Sequence, residues 1–207
     1  MEAPTDPSIY HITHIRNLPG ILRSTCLWSD ARLLGQGAQV ANIGHAHIKR
    51  RRLARSVPVA AKGTLGDYVP FYFCPRSVML YVVNKGHSDY GGGQDEILHL
   101  RSTVHTAIRT GRPWAFTDRH AVLGYAAYHD DLAGLDDIDW DVMPLPYWAE
   151  PEIKELREAE FLVHDWFRWD AVLEIGVIDD AMAHRVRSLL GPSAKTPVVN
   201  IRRNWYY

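Results

Sequence analysis

Short apolar runs punctuated by Gly, Pro and Asp run the length of the chain, and the period of those runs changes from place to place. Residues 9–14 (Ile-Tyr-His-Ile-Thr-His) alternate apolar and polar side chains and predict a strand; 17–22 predict a short helix opened near Pro19. Residues 30–44 hold three glycines and few large apolar groups, which predicts a loop. Residues 45–56 are helical by composition, with Ile48 and Leu53 too sparse to bury the helix, so its arginines face a cleft or solvent. Strands are predicted over 69–73 and 78–83, split by Cys74-Pro75-Arg76, where proline forbids a central ladder position. A glycine turn at 90–93 leads to a strand at 97–100, a helix at 102–110 ended by Gly111, a strand at 114–116 and a helix at 121–128.

Residues 129–158 differ in kind. Six aspartates (130, 131, 136, 137, 139 and 141) crowd a segment that ends in Met143-Pro144-Leu145-Pro146-Tyr147-Trp148, which predicts a long loop with a short helix over 151–157. Long loops inside compact domains are usually functional or disordered, and the aromatics favour function. The loop feeds directly into Ala159-Glu160-Phe161-Leu162-Val163, a carboxylate at the mouth of an apolar run that continues through His164 and Asp165 to Phe167 and reads as one strand. Strands at 171–177 and 197–201 around a helix at 179–190 complete the chain.

With 207 residues, 46% of them hydrophobic, the chain is expected to be a single domain over 1–207 with a real core. Short strands with helices grouped beside them, without βαβ alternation, predict an α+β fold with central antiparallel sheets flanked by short helices. No run of eighteen apolar residues and no signal-peptide pattern occur, and two cysteines, Cys26 and Cys74, make no disulfide framework. A soluble protein of a reducing cytoplasm is expected, with no membrane contact. Net charge is only −1, but it is unevenly spread: residues 1–66 carry nine Lys/Arg against three Asp/Glu, and residues 67–160 eight against sixteen. A basic lobe of this kind can steer a polyanion locally.

Common templates fail. There is no GxGxxG after a strand, Gly91-Gly92-Gly93 lacks the Lys-Ser/Thr of a P-loop, and neither HExxH nor GxSxG is present. What remains is a His on an early strand, a basic helix and a Glu on a late strand.

The ordered set of Ile9-Tyr10-His11-Ile12-Thr13, Asn42-Ile43-Gly44 leading into Ile48-Lys49-Arg50-Arg51, Val69–Tyr81 and Ala159–Val163 resembles the DarT family across nearly the whole chain. The resemblance implies an ADP-ribosyltransferase-like fold and transfer of ADP-ribose from NAD, as co-substrate and with no metal, to thymidine in single-stranded DNA. It further implies the toxin of a bacterial toxin–antitoxin pair, whose partner is a macrodomain antitoxin of the DarG type. Under it, Glu160 stabilises the oxocarbenium-like ribose and helps deprotonate the base, and Arg51 positions NAD or thymine. Among Arg50, Arg51, Arg52 and Arg55, Arg51 is preferred, sharing a helical face with Arg55. His11, Thr13, Asn42, Gly44, Tyr72 and His120 are the expected NAD-side residues; either Phe71 or Tyr72, not both, faces the nicotinamide. For DNA, Tyr147 and Trp148 are expected to stack on an unpaired base, with Lys154 and Arg157 on phosphates.

Readings from other classes stay open on sequence. The same fold can act on RNA or protein, the 45–56 helix can serve a plain nucleic-acid-binding module, and His11, His14, His45 and His47 can be imagined as a metal nuclease, although the 45–47 spacing puts two histidines on different helical faces.

Overall fold

A computed structural model describes residues 2–192 and 197–207. Ten strands carry the architecture: β1 (Ser8–His14), β2 (Cys26–Trp28), β3 (Tyr68–Tyr72), β4 (Ile97–Thr103), β5 (Trp114–His120), β6 (Tyr128–His129), β7 (Ala159–His164), β8 (Trp166–Arg168), β9 (Glu174–Val177) and β10 (Val198–Ile201). Eight of them form one sheet in the order β10-β9-β4-β1-β3-β7-β5-β6, and β2 pairs with β8 in a small second sheet. Every pairing is antiparallel except β9–β10 at one edge. Helices are short: α1 (Leu18–Ser24), α2 (Asp30–Gly35), α3 (Ala46–Ala54), α4 (Val78–Lys85), α5 (Val104–Ile108), α6 (Pro151–Arg157) and α7 (Asp180–Leu190). Among the described residues, no helix is long and apolar enough to cross a membrane.

The largest core cluster gathers Phe71, Phe116 and Phe161, which share a face of the sheet, with Phe167 from the small sheet, all fully buried. Two smaller clusters form around Ile12, Leu80 and Ile97 and around Leu65, Tyr68 and Leu162. The largest also absorbs Leu135, Ile138, Trp140, Val142 and Met143. The first half of the 129–158 segment is therefore folded against the core, with a 3₁₀ turn at Leu132–Asp137, and is not an open substrate loop. Its apolar residues are interleaved with aspartates in sequence, and they are the ones that dock.

Four other expectations are corrected. Residues 78–83 form helix α4, not a strand: Ser77 caps it by accepting from the Leu80 N–H at 3.2 Å, and Val78, Leu80 and Val83 turn into the core. A β-branched run lost to a cap and a helical burial face. Residues 121–128 are turns ending in β6 rather than a helix. Helix α2 occupies the start of the expected 30–44 loop, capped by Ser29, which accepts from Arg32 N at 3.3 Å. The run from 159 to 167 is two strands, because Asp165 adopts φ 67° and breaks it.

Candidate active site: a cleft between splayed strands

The site begins with a failure of pairing. β1 matches β4 at seven successive positions, but meets β3 at one only, Tyr10 opposite Tyr72. Beyond that point β1 and β3 diverge. His11, Ile12 and Thr13 on one side, and Pro70 and Tyr72 on the other, line a cavity of about 950 Å³, within the upper part of the size range of small-molecule sites. The 36–49 segment, including the start of α3, forms another wall.

Glu160 does not itself line the cavity; cross-strand register places it directly behind the lining residues Tyr72, Arg52 and His120. Glu160 on β7 pairs with Tyr72 on β3, so the two side chains share a face. On its other side β7 meets β5, where Phe116 opposes Phe161 but His120 opposes Ala159, so extra residues bulge from β5. Within the bulge Thr117 Oγ1 takes the Glu160 backbone N–H at 3.2 Å. The bulge also carries His120 Nδ1 to 3.6 Å from the Glu160 carboxylate.

Above Glu160 lies an arginine from α3. Arg52 Nη1 reaches both carboxylate oxygens, at 2.9 and 2.8 Å. Helix α3 can come this close because it rests on Gly66, where a Cβ would meet Leu53 Cδ2 at 2.5 Å and Leu53 Cα at 3.2 Å. Arg51, expected to position NAD or thymine, lines the cavity from the same helix and is exposed, while its neighbour Arg52, not singled out in sequence, is the one that holds the Glu160 carboxylate. Grouping Arg51 with Arg55 by helical face was sound geometry without a reference point, because sequence does not say which face meets β7.

Electrostatics separate this pair from an ordinary surface bridge. Glu160 is 1% exposed. Burial alone raises its carboxyl, but the Arg52 guanidinium and His120 outweigh that and hold it below the ordinary value. Tyr72 is shifted upward by burial and by the Glu160 and Glu158 charges, so its phenol stays neutral; its hydroxyl rests on Met79 Sδ at 3.4 Å. His11 is pushed down by burial and so stays neutral. Its Nδ1–H donates to the Pro70 carbonyl at 2.8 Å, which leaves Nε2 as an acceptor. Arg52 Nη2 and His120 Nδ1 are buried without a hydrogen-bond partner. Buried donors of that kind beside a cavity suit a ligand rich in oxygen.

The remaining candidates divide. Thr13 lines the cavity and accepts from Asn17 Nδ2 at 3.1 Å. Asn42 and Gly44 clasp each other, Asn42 Nδ2 donating to the Gly44 carbonyl at 2.8 Å and Gly44 N to Asn42 Oδ1 at 3.2 Å, and so shape the cavity wall. Phe71 is core, which leaves Tyr72 as the aromatic on the cavity. Lys154 is exposed at the rim, and Tyr147 is 79% exposed. Trp148 packs edge-on against Tyr81 and Tyr207. Arg157 does not face DNA: it is 1% exposed, and its guanidinium donates to the carbonyls of Val142, Met143, Leu145 and Arg76, stapling the 142–145 stretch to the 76 turn. The four histidines imagined as a nuclease centre do not converge, since His11 is bound to Pro70 and His14 to Glu96. Some lining residues were missed, among them Arg16, Lys49 and Glu158. Glu158 sits two positions before Glu160, is raised by burial, and lines the cavity; the period-2 spacing of the two glutamates was the available signal.

A carboxylate held ionised beneath a nucleotide-sized cleft, with cations around the rim, is an arrangement suited to cleaving or transferring a glycosyl group. The chain belongs to the DarT family: residues 10–207 match the family model described as ssDNA thymidine ADP-ribosyltransferase, DarT. It is 44% identical over 207 residues to the DNA ADP-ribosyl transferase of Thermus sp. (strain 2.9), covering 99% of this chain and 98% of that one. The structure of Thermus sp. 2.9 DarT in complex with ADP-ribosylated ssDNA superposes with a TM-score of 0.94 at 43% identity, covering 100% and 99% of the two chains. The same protein in complex with NAD+ gives 0.89 at 40% identity, with both chains fully covered.

Proposed function

We propose that this chain binds NAD in the β1/β3 cleft and transfers its ADP-ribose to thymine in single-stranded DNA, with Glu160 as the catalytic carboxylate. The observation that carries the assignment of roles is the Arg52–Glu160 pair on the cleft floor, with Arg52 Nη2 still free to donate. The relatives that bind NAD+ and ADP-ribosylated ssDNA share this chain's fold over its whole length.

Breaking the bond between nicotinamide and ribose places positive charge on the sugar. An anion fixed beside it in a water-poor site stabilises that charge, and such preorganised groups typically contribute ~10²–10³ in rate. Glu160 is suited to this because Arg52 keeps it ionised despite its burial. The acceptor is a ring N–H of thymine, a weak nucleophile until its proton leaves. Glu160, on giving up part of its bond to Arg52, takes that proton, and Arg52 Nη2 steadies the charge left on the base. The nitrogen then bonds to the ribose carbon as nicotinamide departs with the bonding pair. His11 Nε2 accepts from a ribose hydroxyl, Tyr72 stacks on the nicotinamide, and Arg51, Arg16 and Lys49 surround the pyrophosphate. Tyr147 and Lys154 mark the side from which DNA enters.

In this reading residues 1–207 act as one catalytic domain in a bacterial cytoplasm, as a toxin neutralised by a macrodomain antitoxin. The two buried free cysteines suit a reducing compartment. The test is mass spectrometry of thymine-containing and thymine-free single-stranded oligonucleotides after incubation with protein and NAD, with Glu160→Ala alongside. An adduct of ADP-ribose confined to thymine-containing DNA and lost in the variant is expected. Labelling of thymine-free DNA, or a fully active variant, overturns the proposal.

A further inference from the structure

At the rim of the cleft, away from the Glu160 floor, three side chains converge in a way the transfer reaction does not use. His45 caps the start of α3, while His87 and Asp89 lie in the turn after α4, which is closed by reciprocal backbone hydrogen bonds between His87 and Tyr90 at 3.0 Å. Each offers one ligand atom, and those atoms all lie within 4.8 Å of one another. The rings of His45 and His87 are 3.9 Å apart, centroid to centroid, and the His47 ring is 5.1 Å from that of His45.

Three details fit a shared ion better than a plain ion pair. First, His45 Nδ1 and Asp89 Oδ2 stand 3.4 Å apart, long for a hydrogen bond. Two ligands at ~2.0–2.1 Å from one tetrahedral ion are separated by roughly 3.3 Å. Second, His87 Nε2 donates to the Ile43 carbonyl at 3.2 Å, the outer contact by which a protein fixes a metal-binding imidazole. That tautomer makes Nδ1 the acceptor, and it takes a hydrogen bond from Asp89 N at 3.3 Å, a long bond that the ion would replace. Third, the Asp89 carboxylate is already oriented by the Ala46 N–H at 3.2 Å.

We propose that His45, His87 and Asp89 form a site for a divalent ion of the zinc class, with a fourth position filled by water or by His47. Two imidazoles and a carboxylate are a borderline donor set that suits zinc over calcium or magnesium. The ion takes no part in ribosyl transfer. It ties the N-terminus of α3 to the 87–90 turn, and α3 is the helix that carries Arg52 onto Glu160.

The test is calorimetric titration of zinc into chelator-stripped, tag-free protein, without NAD or DNA, so its outcome is independent of the transferase reading. Saturable binding of one ion per chain is expected. His87→Ala and Asp89→Asn should each weaken it by about tenfold or more, whereas Glu160→Gln should leave it unchanged. Cobalt substitution gives a second readout: a tetrahedral visible band present in the parent protein and absent from the folded His87→Ala variant. No saturable binding, or binding and a cobalt band that survive both substitutions, overturns the site.

Discussion

Two buried glutamates on one sheet have opposite surroundings. Glu174 on β9 is 3% exposed and accepts from Arg101 Nε at 2.8 Å, Asn200 Nδ2 at 3.0 Å and Arg202 Nε at 2.6 Å. Both its oxygens are bonded, and two guanidiniums compensate its charge. It cross-links β4, β9 and β10 and needs nothing more. Glu160 is buried as deeply, but among the described residues its carboxylate has Arg52 alone as a hydrogen-bonding partner, its neighbour His120 stands 3.6 Å away, and the cavity-lining groups above it have unmade hydrogen bonds. A buried carboxylate with a full set of donors is a structural tie. One whose shell is left incomplete beside a cavity is a reagent.

The comparison breaks most visibly through paired substitutions. Glu160→Gln should lower kcat/KM for thymidine modification by ~10²–10³, about 3–4 kcal/mol of transition-state stabilisation, with folded protein confirmed by circular dichroism. Glu174→Gln should lower the thermal midpoint and leave kcat/KM within a few-fold of the parent. If Glu174→Gln proved the more damaging to turnover in folded protein, the distinction between saturated and unsaturated shells would fail.

Next in size is the partner of Glu160. Arg52→Ala should cost about a hundredfold in kcat/KM, on the scale of one lost electrostatic group, and it should also change the pH profile. With Arg52 present, the carboxyl lies below its ordinary value; without it, burial pushes the carboxyl up. Activity that depends on ionised Glu160 must then be lost at a higher pH as the solution is acidified. Arg52→Lys should restore part of the profile. An acid limb that stays put in Arg52→Ala would show that Arg52 acts on the substrate alone.

The far end of the sheet has its own pH signature. His99 on β4 is fully buried, its Nε2–H donates to the Pro75 carbonyl at 2.9 Å, and burial pushes it down to about 4 from 6.5. The native state therefore binds the proton less readily than the unfolded chain. Stability is full above pH 6.5 and falls as the pH drops toward 4. Between pH 7 and 5, above the main carboxylate range, His99 should remove about 2 kcal/mol. Denaturant unfolding at the two pH values should show this loss, and His99→Gln should reduce it. A loss of the same size in His99→Gln would assign it to other groups, such as the buried His14, which is likewise pushed down.

How much of this was legible beforehand follows from what kind of signal each residue sends. Strand β1, helix α7 and the strand bearing Glu160 announce themselves by local period, and so does the α+β class. Local period says nothing of what lies opposite. That Arg52 rather than Arg51 meets Glu160 depends on how α3 sits on Gly66 through Leu53 and on β7 more than a hundred residues on, which no local period reports. Arg157 was assigned to phosphate because an arginine beside a loop reads as surface, yet four carbonyls from two segments wrap it. The His120 contact depends on a bulge in β5 that alternation alone cannot reveal. The 78–83 strand and the 121–128 helix failed more simply, since a serine cap outweighed β-branching in one and turns replaced a helix of fair propensity in the other.

Arg51 supplies the smallest effect and the finest discrimination. It is exposed and lines the cavity, so under the proposed reading it acts on the NAD diphosphate through solvent. Exposed charge pairs contribute about 1 kcal/mol or less. Arg51→Ala should therefore raise KM for NAD by about tenfold at most, with little change in kcat, and added salt should shrink the difference between variant and parent. Arg52→Ala should lower kcat and respond weakly to salt, because its partner is enclosed. If the two variants matched in size and in salt dependence, the α3 arginines would be working as a diffuse cloud of charge, and the positioned pair on Glu160 would not be what distinguishes this end of the sheet from the Glu174 end.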